Sequence, residues 1–191
     1  AFGASINLST LSTINSNKSY GEISTSYGSF NTLKNTIKVG TGLIDGKWNF
    51  EGRLSKISSD GFIDRASSNL NSYYFSGSYL GEKTSIQALV FSGNEKTYQS
   101  WGGTPLRVLD TNQTYNPYTY DNQIDNYTQT HYQLHLTIKP SKRIKLNASL
   151  HYTRGFGYYE SFKDSEALSD YNLNNIISTF PSDTVFHIDT V

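Results

Sequence analysis

The sequence predicts an all-β fold, an antiparallel meander of about seven strands that forms part of a large transmembrane β-barrel. Three observations lead there: apolar and polar residues alternate with a period of two, the links between the alternating runs differ in length in an ordered way, and the composition is polar and aromatic at once. Hydrophobic residues make up 36% of the 191, with 14% aromatic, where globular domains carry roughly 45–50% apolar residues. Sixteen basic residues balance sixteen acidic ones, so the high net charge and scarce aromatics of a disordered chain are missing.

The same balance removes the basic field that nucleic-acid binding requires, and nucleic acid is excluded as an expected partner. Cys is absent, which rules out disulfides, thiolate catalysis and Cys-based metal sites within the chain. No run approaches the ~18 consecutive apolar residues of a transmembrane helix. A transmembrane strand, by contrast, needs only about 9–11 alternating residues, and a mean hydropathy of −0.52 is compatible with that.

The cleanest strand is Arg143 to Tyr152, where Ile144, Leu146, Ala148, Leu150 and Tyr152 alternate with Lys145, Asn147, Ser149 and His151. Tyr132, Leu134, Leu136 and Ile138 repeat the pattern, as do Trp48, Phe50, Gly52 and Leu54. Leu33, Ile37, Val39, Thr41 and Leu43 alternate with Lys34, Thr36 and Lys38 in another run, and Tyr73, Phe75 and Tyr79 form the apolar set of a fifth. Tyr20 to Gly28 and Thr84 to Ser92 alternate less cleanly and are read as strands from their position. No apolar run with helical spacing competes.

Between Leu43 and Trp48 stands Asp45-Gly46, a hairpin signal in which both turn residues accept positive φ. Leu80 to Lys83 and Pro140 to Arg143 make two more short links, with Pro at a strand end where no ladder donor is lost. Ser58 to Ser68, Gln99 to Asn126 and the residues after Gly157 are longer. Apart from a short first link at Gly28 to Asn31, short and long alternate, as periplasmic turns and extracellular loops do in an outer-membrane barrel. The aliphatic face then meets lipid and the charged face a wet lumen, with Trp48 and Tyr152 placed as aromatic girdle residues. The alternative is a half-buried antiparallel sheet of a soluble β-rich binding module.

The long loop carries the candidate ligand-binding residues Trp101, Tyr115, Tyr118 and Tyr120, near Asp110, Asp121 and Asp125. Aromatic rings give rigid contact area with a polar edge, suited to sugars, siderophores and other ring-bearing nutrients; the alternative is that they pack the loop onto the barrel rim. The three Asp lack calcium-loop spacing. His131 and His135 lie on one strand face about 13 Å apart, too far to share a metal, while His151 and His187 have no partner legible in sequence. No G-x-S-x-G elbow is present. No catalytic residue, metal site or cofactor is expected.

Several segments together carry a resemblance. Ala1-Phe2-Gly3-Ala4-Ser5-Ile6-Asn7-Leu8-Ser9-Thr10 resembles the closing strand of the plug of TonB-dependent outer-membrane receptors. Tyr27-Gly28-Ser29-Phe30-Asn31 resembles that family's first-hairpin turn, and Ser59-Asp60-Gly61-Phe62-Ile63-Asp64-Arg65 its aromatic-and-Asp segment after the third strand. The resemblance implies that residues 1–14 end the plug domain, 15–19 are the hinge into the barrel, and 20–191 are the N-terminal part of the barrel. It further implies energised uptake of a scarce nutrient (iron-siderophore, haem, cobalamin or oligosaccharide) across a Gram-negative outer membrane. The partners would be outer-membrane lipid, the extracellular ligand and, through a missing N-terminal part, the TonB complex. A passive outer-membrane pore or structural barrel shares every alternation argument.

No signal peptide is expected in Ala1 to Ser5, and no TonB box is seen. Because lipid tolerates no unpaired backbone and bacterial barrels close with an even number of strands, seven strands are expected to be a fragment.

Overall fold

The structure, a computed structural model, describes residue Gly3 and residues 18–163 and 166–173. The chain divides into two units, Ala1–Ser161 and Phe162–Val191. The expected plug end at 1–14 lies outside the described residues except for Gly3, and so do most of the hinge and His187.

The first unit is a seven-stranded antiparallel sheet in strict meander order. Its strands are β1 (Tyr20–Gly28), β2 (Thr32–Gly40), β3 (Trp48–Ser59), β4 (Ser68–Leu80), β5 (Thr84–Tyr98), β6 (Ile124–Ser141) and β7 (Ile144–Tyr159), with one helical turn, α1 (Leu106–Leu109), between β5 and β6. Among the described residues each strand pairs with its sequence neighbours only, so β1 and β7 are the two edges of this sheet.

Asp45 and Gly46 take φ of 50° and 65°, the positive values their sequence predicts for both turn residues. Ile44 and Trp48 bridge across the turn. β2 nevertheless ends at Gly40, short of Leu43. Gly42 is at φ 65°, where a Cβ would stand 2.7 Å from the Lys18 backbone, so the chain bends there before the turn. The link over 41–47 is therefore not the short one expected. Links 81–83 and 142–143 at that end are short. At the other end stand 29–31, 60–67 and 99–123.

β6 runs through Pro140 to Ser141, with a register shift between Ile138 and Ser141. A bulge is one of the few places where a strand accommodates Pro.

Alternation assigns each strand two faces, and the register joins them into rows. On one face the row Val39, Gly52, Phe75, Val90, Tyr132, Tyr152 runs across six strands. Next to it lies Phe50, Gly77, Ala88, Leu134, Leu150. The glycines in these rows let rings lie across the neighbouring strand: Phe75 covers Gly52 and Phe50 covers Gly77, each ring 3.2 Å from where a Cβ would sit. Trp48 contacts Tyr79 at 4.8 Å between ring centroids and stacks beside Phe50.

This apolar face is exposed. Ile23 is 79% accessible, Leu150 69% and Tyr152 61%. The other face carries Thr36, Asn49, Glu51, Ser76 and Ser78, all buried, with Asn49 only 1% accessible. Among the described residues the buried hydrophobic ones are Leu89 and Tyr98. A water-soluble sheet partitions its residues the opposite way.

The apolar band also drifts. Its lower edge falls from Val39 in β2 to Leu146 and Ile144 in β7, six residues or more below the Val39 row, while its upper edge falls only from the Ile37 row to Tyr152, two residues over the same five strand steps.

In the second unit, Leu168–Tyr171 forms a 3-10 turn, and the Ala167 N–H just before it donates to Asp170 Oδ2 at 3.0 Å. The Tyr171 hydroxyl donates to the Glu166 carboxylate, which raises the phenol above its ordinary value.

Candidate functional site

Three connections stand at the long-loop end of the sheet, and backbone strain and polar contacts join them. Phe30 and Asn31 turn at φ 58° and 53°. Their strain is offset by docking: Phe30 packs edge-on against Phe62 at 5.6 Å, and Asn31 Nδ2 donates to Asp60 Oδ2 at 2.6 Å. Asp60 N–H donates to the Phe30 carbonyl at 2.9 Å. The two segments singled out in sequence, 27–31 and 59–65, are thus in direct contact.

Loop 60–67 in turn holds loop 99–123. Arg65, at φ 64°, donates from Nε to the Tyr118 carbonyl at 2.9 Å and from Nη2 to the Asn116 carbonyl at 3.0 Å. Asp64 N–H donates to the Thr114 carbonyl at 2.7 Å. Asn116, 2% accessible, returns bonds from Nδ2 to the carbonyls of Asp64 (2.8 Å) and Gln99 (3.0 Å). Gln99, also 2% accessible, donates from Nε2 to the carbonyls of Ile124 and Glu160 at 3.1 and 2.6 Å. Buried amides satisfied on both sides make the long loop a fixed structure.

Gly61 is the tight point, with φ 76° and a would-be Cβ 2.3 Å from the Ala66 carbonyl oxygen. Gly61→Ala is expected to cost about 1–2 kcal/mol and to open loop 60–67 to a protease that spares the parent protein; limited proteolysis of the two side by side checks it.

The four candidate aromatics do not form one cage. Trp101 is 58% accessible and sets its edge against Tyr159 at 6.0 Å. Tyr115, Tyr118 and Tyr120 are half-buried. Each has its carbonyl held by the scaffold: Tyr115 by the Thr104 hydroxyl, Tyr118 by Arg65, and Tyr120 by the Tyr98 hydroxyl at 2.7 Å. The Tyr118 ring lies beside Gly102, whose Cβ would stand 3.5 Å from it. Rim packing and ring presentation therefore coexist, with the backbone fixed and Trp101 projecting. Sequence reasoning missed Arg65, Asn116 and Gln99 as the groups that fix this loop; the available signal was Asn116-Pro117, a turn former between two tyrosines.

On the polar face, Glu22 and Lys38 pair at 2.9 Å. His151, without a partner legible in sequence, has one here. The register sets Thr153 opposite His131, so the Thr153 hydroxyl lies 2.9 Å from His131 Nδ1 and 2.7 Å from His151 Nε2, with the two nitrogens 3.4 Å apart. Phe91 stacks on His131 at 4.5 Å. His135 instead contacts Ser149 and Gln133. Among the described residues no group of three or more His, Asp or Glu is placed to hold a metal ion.

Neither a family model nor any curated protein matches the chain.

Proposed function

We propose that this chain is an arc of an outer-membrane β-barrel belonging to a TonB-dependent receptor for energised uptake of a scarce nutrient. One observation carries the membrane part: the apolar face is continuous and exposed across the sheet while polar side chains are buried on the other face. Lipid is the solvent in which that arrangement is favourable. Trp48 and Tyr79 then mark one girdle and Tyr132 and Tyr152 the other.

Free edges at β1 and β7 have no place in lipid, so further strands complete the barrel. The receptor reading rests on the family resemblance, supported by the contact between segments 27–31 and 59–65 and by a stiff outer loop that presents Trp101. In this reading the loops and the outer face of a plug bind the nutrient, and the TonB complex supplies the energy that admits it. The plug resemblance at Ala1 to Thr10 is what separates a gated receptor from a passive pore.

An antibody against loop 99–123, used on fractionated source cells, tests the reading. A polypeptide several times 21.4 kDa in the outer membrane is expected. A soluble band at 21.4 kDa would overturn it.

A further inference from the structure

The apolar face does not stay apolar along the full length of the strands. One position above Ile37, Leu54 and Tyr73, on the same face and toward the long loops, the register sets Asn35, Lys56, Asn71, Asn94 and Thr128 side by side. A cavity of about 510 Å³ lies over this boundary. Its lower wall is the Ile37, Leu54 and Tyr73 side chains and its upper wall is amide, hydroxyl and one ammonium. Asn35 Oδ1 accepts from the Thr25 hydroxyl at 3.0 Å, which leaves the Asn35 NH₂ as a donor directed to other groups.

Charge on this face is one-sided. Its charged strand residues are Lys56, Lys96 and Arg154, all exposed and all on the long-loop side of the apolar band. The strand carboxylates Glu22, Glu51, Glu95 and Asp125 alternate onto the opposite face. Among the described residues none of the three cations has an ion-pair partner. An exposed cation beside amide donors, directly above an apolar wall, complements an anion that carries acyl chains.

We propose that this cavity seats the headgroup of an anionic, phosphate-bearing membrane lipid, with Lys56 and Asn35 on the phosphate and the acyl chains against Ile37, Leu54 and Tyr73. The proposal rests on the membrane reading above. Arg154, one position above Tyr152, meets a second headgroup of the same layer in the same way.

The native polypeptide in a neutral glycoside detergent, titrated with phosphatidylglycerol, phosphatidylcholine and inorganic phosphate, provides the test, with bound molecules counted by native mass spectrometry. Phosphatidylglycerol is expected to be retained in preference to phosphatidylcholine. Lys56→Glu, a change of two charge units, should weaken it about 25-fold, given roughly a fivefold effect for each unit of headgroup-facing charge. Lys34→Glu, on the polar face, should leave it unchanged. Equal retention of the two lipids, indifferent to Lys56→Glu, would overturn the headgroup site and leave the membrane reading standing. Retention of neither lipid would contradict the membrane reading itself. Inorganic phosphate bound as tightly as phosphatidylglycerol would show an anion site without a lipid.

Discussion

Leu134→Arg is expected to destabilise the native polypeptide in a phospholipid bilayer by about 2–4 kcal/mol, while Gln133→Arg, one residue away, costs less than about 1 kcal/mol. Leu134 sits in the middle of the exposed apolar face, between Ala88 and Leu150 in register and 41% accessible. Gln133 alternates onto the face that carries Leu89 and His151. A guanidinium at the centre of the lipid layer has no water and no counter-ion; on the lumen side it has both. The cost should also fall with height. Thr128→Arg lies on the same face as Leu134 but above the band, among Asn94 and Phe156, and is expected to be within about 1 kcal/mol of neutral. Guanidinium unfolding in vesicles, followed by tryptophan fluorescence, measures all three. A soluble sheet covered by a second protein layer gives no reason for the cost to vanish at residue 128.

Arg65→Ala is expected to release loop 99–123, at a cost of about 2–3 kcal/mol from two charge-assisted bonds to carbonyls, discounted because the side chain is exposed. Arg65→Lys should recover little of it. The planar fork reaches the Tyr118 and Asn116 carbonyls together, and an ammonium holds a single point. The readouts are the rate of protease nicking within 99–123 and, once the nutrient is known, its affinity. If the aromatics of this loop contact the ligand, Arg65→Ala weakens binding without touching it. Accelerated nicking with affinity unchanged would assign Trp101, Tyr115, Tyr118 and Tyr120 to the rim alone.

The strands were legible where one face is apolar and the other polar, and were underestimated elsewhere. β1 runs over Tyr20–Gly28 as its position predicts. β5 continues past Ser92 to Tyr98, β6 begins at Ile124 inside what reads as loop, and β7 continues past Tyr152 to Tyr159. In β5 and β6 both faces are polar above the apolar band, as at Asn94 and Thr128, so the period-two signal disappears while the backbone ladder continues; in β7 Arg154 interrupts the apolar face, which resumes at Phe156 and Tyr158. Tyr152 accordingly lies seven residues before the end of β7 and not near its tip.

Gly42 shows the opposite error. Val39, Thr41 and Leu43 extend the alternation, but a positive φ at Gly42 ends the strand. The loop contacts were not legible, because the Arg65 clamp joins residues more than fifty positions apart and no local pattern encodes such a distance. The His131 and His151 contact required the register of β6 against β7, which depends on the bulge at Pro140.

Site-directed spin labelling along β6 tests the central claim most directly, since the sequence contains no Cys and single Cys residues can be introduced one at a time from 128 to 138. Accessibility to oxygen, which concentrates in lipid, and to a water-soluble nickel chelate would be compared at each position in reconstituted membranes. The membrane reading predicts high oxygen and low nickel accessibility at 132, 134, 136 and 138, the reverse at 131, 133, 135 and 137, and nickel accessibility again at 128. Low accessibility to both reagents at 132, 134, 136 and 138 would mean a protein core in place of lipid, and would contradict the account.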